Sequence, residues 1–411
     1  MANFRTKVLN NINHKSTSRT PVDIGSTLVS GLHVSHIAQL RKSFNLPEKR
    51  IRVIEPAQML GKIDNDLKKF LHIDTTRVVP FKNIFGIKNQ NWRDWQLPNS
   101  QKVQVPDNFN TRTDKQGNIY IFPAGNTDAQ ASAVMSRGQS SFELINRQMQ
   151  GHGQTHNPDE NLEEFQTISD EELNYLEAQL KKINKEERAV IFTSEFTFLG
   201  NSNYILAPYL ENPAGIRNLT DWYMALQQQP NYIHKVFEEQ TKIALENLSI
   251  INDRMGDLID IILVCATDFG GQDSLLISPW TFRKLFKPFY KQINSWIHTN
   301  TNWKTMKHSC GAIAELIPDL IECGFDILNP LHFAALKMSP DQIKKIYGDD
   351  ICFWGNCLDM EVLISGQSSQ IKEEAQNCRT LSQKGGFVFS LENLPVETPI
   401  KNIITLLKAL P

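Results

Sequence analysis

From about Pro158 onward, short apolar runs alternate with segments of helical periodicity, whereas the residues before it are rich in Asn, Gln, Pro and Gly. The runs 190–193, 259–267, 303–307, 327–329, 351–354 and 386–389 are brief and mostly β-branched or aromatic, which predicts buried strands. Between them the pattern predicts helices over 170–185, 233–257, 280–299, 312–323, 339–347, 369–383 and 398–410. In the segment after His308, the apolar residues Ile313, Leu316, Ile317, Leu320 and Ile321 recur at i, i+3, i+4, i+7 and i+8. That is the stripe of a helix packed on a sheet. Strand-helix units in series imply right-handed crossovers and a parallel sheet. A closed (β/α)8 TIM barrel and an open doubly wound sheet both satisfy this pattern. No glycine-rich phosphate fingerprint follows any strand, which speaks against a nucleotide-binding open sheet.

The first part of the chain reads differently. Residues 21–25 suggest a first strand ending in turn residues, and 34–44 a helix. Runs 102–105 and 118–122 flank a polar connection ending in Asp114-Lys115-Gln116-Gly117, which predicts a β-hairpin with a long loop. The stretch 125–154, rich in Ser, Gly, Ala and Gln, reads as a long loop or lid. The expectation is therefore one α/β domain over 1–411, with 86–158 as a hairpin and loop insertion that would lie over the C-terminal mouth if the sheet closes into a barrel.

Composition narrows the class. With 40% hydrophobic and 21% charged residues and a formal net charge of −2, the 411 residues fit a globular protein with a large core. No charge excess invites nucleic acid or an anionic membrane. The longest apolar runs fall far short of the ~20 residues that cross a bilayer. Residues 1–19 are polar and of mixed charge, unlike a secretory signal, so a cytoplasmic location is expected. All six cysteines lie in the second half of the chain, which suggests reduced thiols rather than a disulfide framework. Cys265, Cys323 and Cys352 sit where small buried hydrophobes sit.

His308 and Cys310 end a predicted strand, with alternation placing both side chains on one face. In a parallel barrel such strand ends form the active-site rim. An imidazole and a thiolate together suit zinc, whose catalytic sites keep one position open. Taken alone, the pair weighs evenly against a hydrogen-bonded histidine beside a buried cysteine. A third ligand is sought at the following strand ends: Cys357, Glu392 or His332. Asp268, in Asp268-Phe269-Gly270-Gly271-Gln272, and Asp23 are candidate catalytic acids on the same rim. Gln272, Asn329 and His332 are candidate substrate contacts. Gly270 and Gly271 permit close backbone approach, and Ser278-Pro279 reads as a helix N-cap and N1 pair.

His308-Ser309-Cys310-Gly311, 316–321, Gly324-Phe325-Asp326-Ile327-Leu328-Asn329-Pro330 and Phe353-Trp354-Gly355 together resemble the uroporphyrinogen decarboxylase superfamily, especially its cobalamin-linked methyltransferase branch. Pro21-Val22-Asp23, Gly270-Gly271-Gln272 and Thr398-Pro399 extend the similarity over most of the chain. The resemblance implies a (β/α)8 barrel with its site at the C-terminal mouth. Decarboxylase members carry an early arginine-rich motif that grips substrate carboxylates. The segment 19–25 offers one arginine, too little for a multi-carboxylate substrate.

Methyltransferase members hold zinc with a His-x-Cys pair and a later cysteine, and His308 and Cys310 match the pair. The later position falls on Glu392, with Cys357 as the alternative. The resemblance thus implies a zinc-dependent methyltransferase, moving a methyl group between a corrinoid on a partner protein and a small-molecule thiol. Self-association is left open. Two other readings stand beside it: a tetrapyrrole-acid decarboxylase and a non-catalytic corrinoid- or tetrapyrrole-binding barrel.

Overall fold

The computed structural model describes residues 3–148, 157–330, 338–355, 358–392 and 394–410. Its centre is eight parallel strands: β1 (Val22–Asp23), β2 (Thr75–Arg77), β3 (Ala189–Thr193), β4 (Ile261–Cys265), β5 (Lys304–His308), β6 (Ile327–Asn329), β7 (Cys352–Gly355) and β8 (Phe387–Ser390). Neighbours in sequence pair in register from β2 to β8, and β8 pairs with β1. The remaining seam is bridged by Asp74: its amide donates to Val22 O at 2.8 Å and its carboxylate accepts from Val22 N at 2.9 Å. The result is a nearly closed (β/α)8 TIM barrel.

Alternation along each strand sorts the core into two shells. Ile191, Ile261, Leu263, Met306, Ile327, Cys352, Trp354 and Val388 pack together inside the barrel. Their neighbours Val190, Phe192, Ile262, Leu328, Phe353 and Phe389 belong to the outer shell, which includes helices Asp170–Ile183, Pro230–Met255, Lys287–Asn300 and Ile400–Ala409. The inner shell also takes Val8 and Ile12 of the helix Phe4–Ile12. That helix lies against the strand beginnings, where Arg5 binds Asp260 at 2.8 Å and Asn11 Oδ1 accepts from Phe387 N. It plugs the N-terminal end, so access to the interior is from the C-terminal mouth.

The first part of the chain corrects the predicted hairpin. Lys102–Val105 pairs with Arg93–Gln96 and Ile51–Glu55, not with 118–122. Ile119–Ile121 lies instead between Thr111–Thr113 and Ala133–Met135. The cause is local: the Asp114 carboxylate accepts from Gln116 N and Asn118 N, which closes a tight turn directly onto Thr111–Thr113. That strand is polar and largely exposed, so its sequence carries no apolar alternation. The expected lid also contains strands, Ala133–Met135 and Glu143–Leu144. Among the described residues no helix is long and apolar enough to cross a membrane.

Candidate functional site at the barrel mouth

On β5 the alternation that buries Met306 inside the barrel also turns His308 inward at the mouth end of the strand. Its register partner on β6 is Asn329. His308 Nδ1 lies 2.6 Å from Asn329 Oδ1. The orientation of that amide follows from its other contacts, since Asn329 Nδ2 donates to Trp354 O at 2.9 Å and to the Glu392 carboxylate. With Nδ2 committed to two acceptors, Oδ1 accepts and His308 Nδ1 carries the proton. The lone pair is thereby left on Nε2. That atom lies 3.5 Å from Cys310 Sγ and 3.7 Å from Asp268 Oδ1.

Asp268 reaches this pair through backbone packing. The loops after β4 and β5 touch directly: Ala312 N donates to the main-chain Gly271 O at 2.8 Å, and Phe269 N donates to the side-chain Ser309 Oγ at 2.9 Å. A Cβ on Gly270 would lie 2.6 Å from Cys310 O, and one on Gly311, whose φ is +82°, 2.4 Å from Gly271 O. Both positions require glycine. The contact lets Cys310 N donate to Asp268 Oδ1 at 2.7 Å, which fixes the carboxylate beside the thiol. One ligand atom each from Asp268, His308 and Cys310 then lies within 4.8 Å of the others.

These donors fit a zinc ion. They supply nitrogen, sulfur and oxygen, number three as the protein ligands of catalytic zinc sites do, and line an open cavity. Asn329 and Glu392 behind His308 are the supporting contacts that such a ligand normally has. Burial, then the Asp268 and Glu392 carboxylates, push the Cys310 thiol up to about 12. Beneath the loops, Lys307 is fully buried, donating to Thr267 O at 2.7 Å and to His308 O, with its ammonium 4.7 Å from the Phe269 ring centroid. It ties the ends of β4 and β5 together.

A cavity of about 360 Å³ opens in front of the three donors. Its walls include Ile54, Glu55, Phe142, Leu144, Glu195 and Tyr204, so residues of the first part of the chain roof the mouth. Burial pushes the Glu195 carboxyl up to about 7, against a hydrogen bond from Tyr204. Glu55, Glu195 and Tyr204 escape a motif search. The signal that was available for Glu195 is its place directly after β3, on the same rim as the other strand ends.

The other sequence-predicted residues fall as follows. Glu392 does not join the three donors: it is buried behind Asn329, where desolvation pushes its carboxyl up to about 8. Asp268, expected as a catalytic or substrate-binding acid, takes the position beside His308 and Cys310. Asp23 is fully buried and accepts from Thr75 Oγ1 at 2.8 Å and Trp354 Nε1 at 3.0 Å, with burial raising its carboxyl above the usual range. It does not line the cavity. Gln272 is exposed on the turn closed by the Gly270–Leu275 bridge, also away from the cavity walls. Ser278 caps its helix as expected, accepting from Thr281 N. His332 and Cys357 lie outside the described residues.

Fold and site define an α/β barrel whose chemistry-bearing groups gather at the C-terminal strand ends, the arrangement of barrel enzymes. The uroporphyrinogen decarboxylase (URO-D) family matches residues 158–410, and the chain belongs to that family. A methyltransferase from Methanosarcina mazei superposes over 100% of this chain and 98% of its own, with a TM-score of 0.56 at 12% identity. That likeness is one of fold. Xylanase B from Clostridium stercorarium F9 aligns over 56% of this chain and 77% of its own, with a TM-score of 0.33 at 14% identity. None of the curated proteins compared matches the chain in sequence.

Proposed function

We propose that the protein is a zinc-dependent methyltransferase that moves a methyl group between a corrinoid on a partner protein and a small thiol. The observation that carries this reading is the convergence of Asp268, His308 and Cys310 at the barrel mouth. The whole-length likeness to a methyltransferase agrees with it. Zinc held there supplies Lewis-acid activation of the acceptor thiol, which makes a sulfur nucleophile available at neutral pH. The chain's own residues orient and exclude. Asn329 fixes the His308 tautomer and ring, and Cys310 N holds Asp268 in place. Ile54, Phe142 and Leu144 wall the cavity against water on the side away from the strands. Asp23 and Glu392 act from beneath as positioning groups, through Trp354 and Asn329 respectively. Gln272 is proposed at the rim, where the corrinoid partner docks.

The tetrapyrrole decarboxylase reading finds less support, because among the described residues no arginine or lysine lines the cavity. A multi-carboxylate substrate calls for several guanidinium clamps. The test is direct. Zinc-loaded protein, given methylcobalamin and a thiol, is expected to produce the methyl thioether together with the absorbance change of demethylated corrinoid. A His308→Ala Cys310→Ala double variant is expected to lose both. Turnover by the metal-free protein, or none with any thiol, would sink the reading.

A further inference from the structure

The charges around the cavity specify more than a generic thiol. Three carboxylates line it, Glu55, Glu195 and Asp268, and among the described residues no lysine or arginine does. The cation set against them is Arg77 at the end of β2, buried and within electrostatic reach of Glu55, Glu195 and Asp23. Glu55 is already committed. It accepts from Ala57 N at 2.9 Å and Gln58 N at 2.8 Å, and Arg77 offsets its charge. Asp268, with a Cys310 thiolate, would balance a divalent ion held by the three donors. Glu195 is what remains, a carboxyl at the cavity wall whose partner is the neutral hydroxyl of Tyr204.

A carboxylate lining a small cavity is costly to ionise when, among the described residues, no cation forms an ion pair with it and Arg77 acts only at longer range. A guest with one positive charge removes that cost. Phe142, Phe198 and Tyr204 also line the cavity, and aromatic surface attracts alkylammonium groups. The volume of about 360 Å³ is at the small end for a ligand site, enough for a short-chain molecule.

We propose that the acceptor is a short aminothiol, its single ammonium seated against Glu195 and its sulfur toward His308 and Cys310. The thiol end of this proposal rests on the methyltransferase reading, whereas the ammonium end rests on the cavity charges alone. The groups acting on Glu195 are Tyr204 and Arg77, which favour its ionised form, and Glu172 and Glu55, which oppose it along with burial. With its carboxyl at about 7, the empty cavity holds Glu195 partly protonated at neutral pH. Seating of an ammonium therefore releases a proton.

Isothermal titration of the full-length, zinc-loaded protein separates the alternatives. The probes are cysteamine, 2-mercaptoethanol, 3-mercaptopropionate and thiol-free n-propylamine. Cysteamine is expected to bind about tenfold more tightly than 2-mercaptoethanol, with 3-mercaptopropionate the weakest of the three thiols. The heat for cysteamine and n-propylamine is expected to vary with buffer ionisation enthalpy, reporting the released proton. Glu195→Gln should collapse the preference to within about twofold, and Glu195→Asp should keep most of it. A 3-mercaptopropionate affinity equal to that of cysteamine overturns the proposal, as does an unchanged preference in a folded Glu195→Gln protein. If n-propylamine binds with its proton release but no thiol is methylated, the cation site stands and the methyltransferase reading falls. If 3-mercaptopropionate is the thiol methylated, the reading stands and the aminothiol proposal falls.

Discussion

His308 owes its readiness to bind a metal to a residue behind it. Asn329 accepts the Nδ1 proton while its own amide is pinned by Trp354 O and Glu392. Asn329→Ala removes that constraint and leaves Glu392 without one of its two side-chain donors, so metal affinity is expected to fall about 10- to 100-fold in a chelator-competition titration. Glu195 sets a pH dependence. Its carboxyl titrates at about 7 when folded against an ordinary value of 4.5, so the folded state keeps a proton that the unfolded chain releases. Its contribution to stability is therefore full below about 4.5, is lost as pH rises to about 7, and is flat above. Glu195→Gln lacks this loss, and its stability relative to wild type should rise by on the order of 2 kcal/mol between about pH 5 and pH 8, read by urea unfolding. His308 and Cys310 were legible in the sequence because alternation at a strand end is a local rule. Asp268 as their partner was not, because its approach depends on contact between two loops some forty residues apart in the chain. The resemblance put Glu392 at the later ligand position, with Cys357 as the alternative, yet the side chain that faces His308 from that side is Asn329.

Among the elements, the two glycine loops after β4 and β5 and the N-terminal helix have opposite roles. Gly311 sits at φ +82° with Gly271 O where a Cβ would go. Gly311→Ala must therefore separate the loops that bring Asp268 to Cys310. Metal binding and turnover are expected to be lost while the protein remains folded, at a stability cost of more than about 1 kcal/mol. The helix Phe4–Ile12 closes the far end of the barrel, where Ile12 packs in the inner shell. Ile12→Ala is expected to cost about 2–4 kcal/mol in chemical denaturation, with metal affinity unchanged. The strands β3 to β8 were legible as short apolar runs between periodic helices. The strand Thr111–Thr113 was not, since it is polar and held by a turn and by neighbours rather than by a buried face. β2, three residues long and containing a buried arginine, gave no apolar run to find.

For the whole molecule, the barrel is plugged at one end and roofed at the other, with a cavity at the mouth in front of three donors. The account stands on one zinc ion being held there by Asp268, His308 and Cys310. The most direct measurement is the zinc content of the purified protein, with the ligand set read from X-ray absorption at the zinc edge. The expected result is about one zinc per chain with a single sulfur among its ligands, and loss of the metal in the His308→Ala Cys310→Ala protein. Zinc that persists in that variant, or a coordination shell without sulfur, would contradict the account.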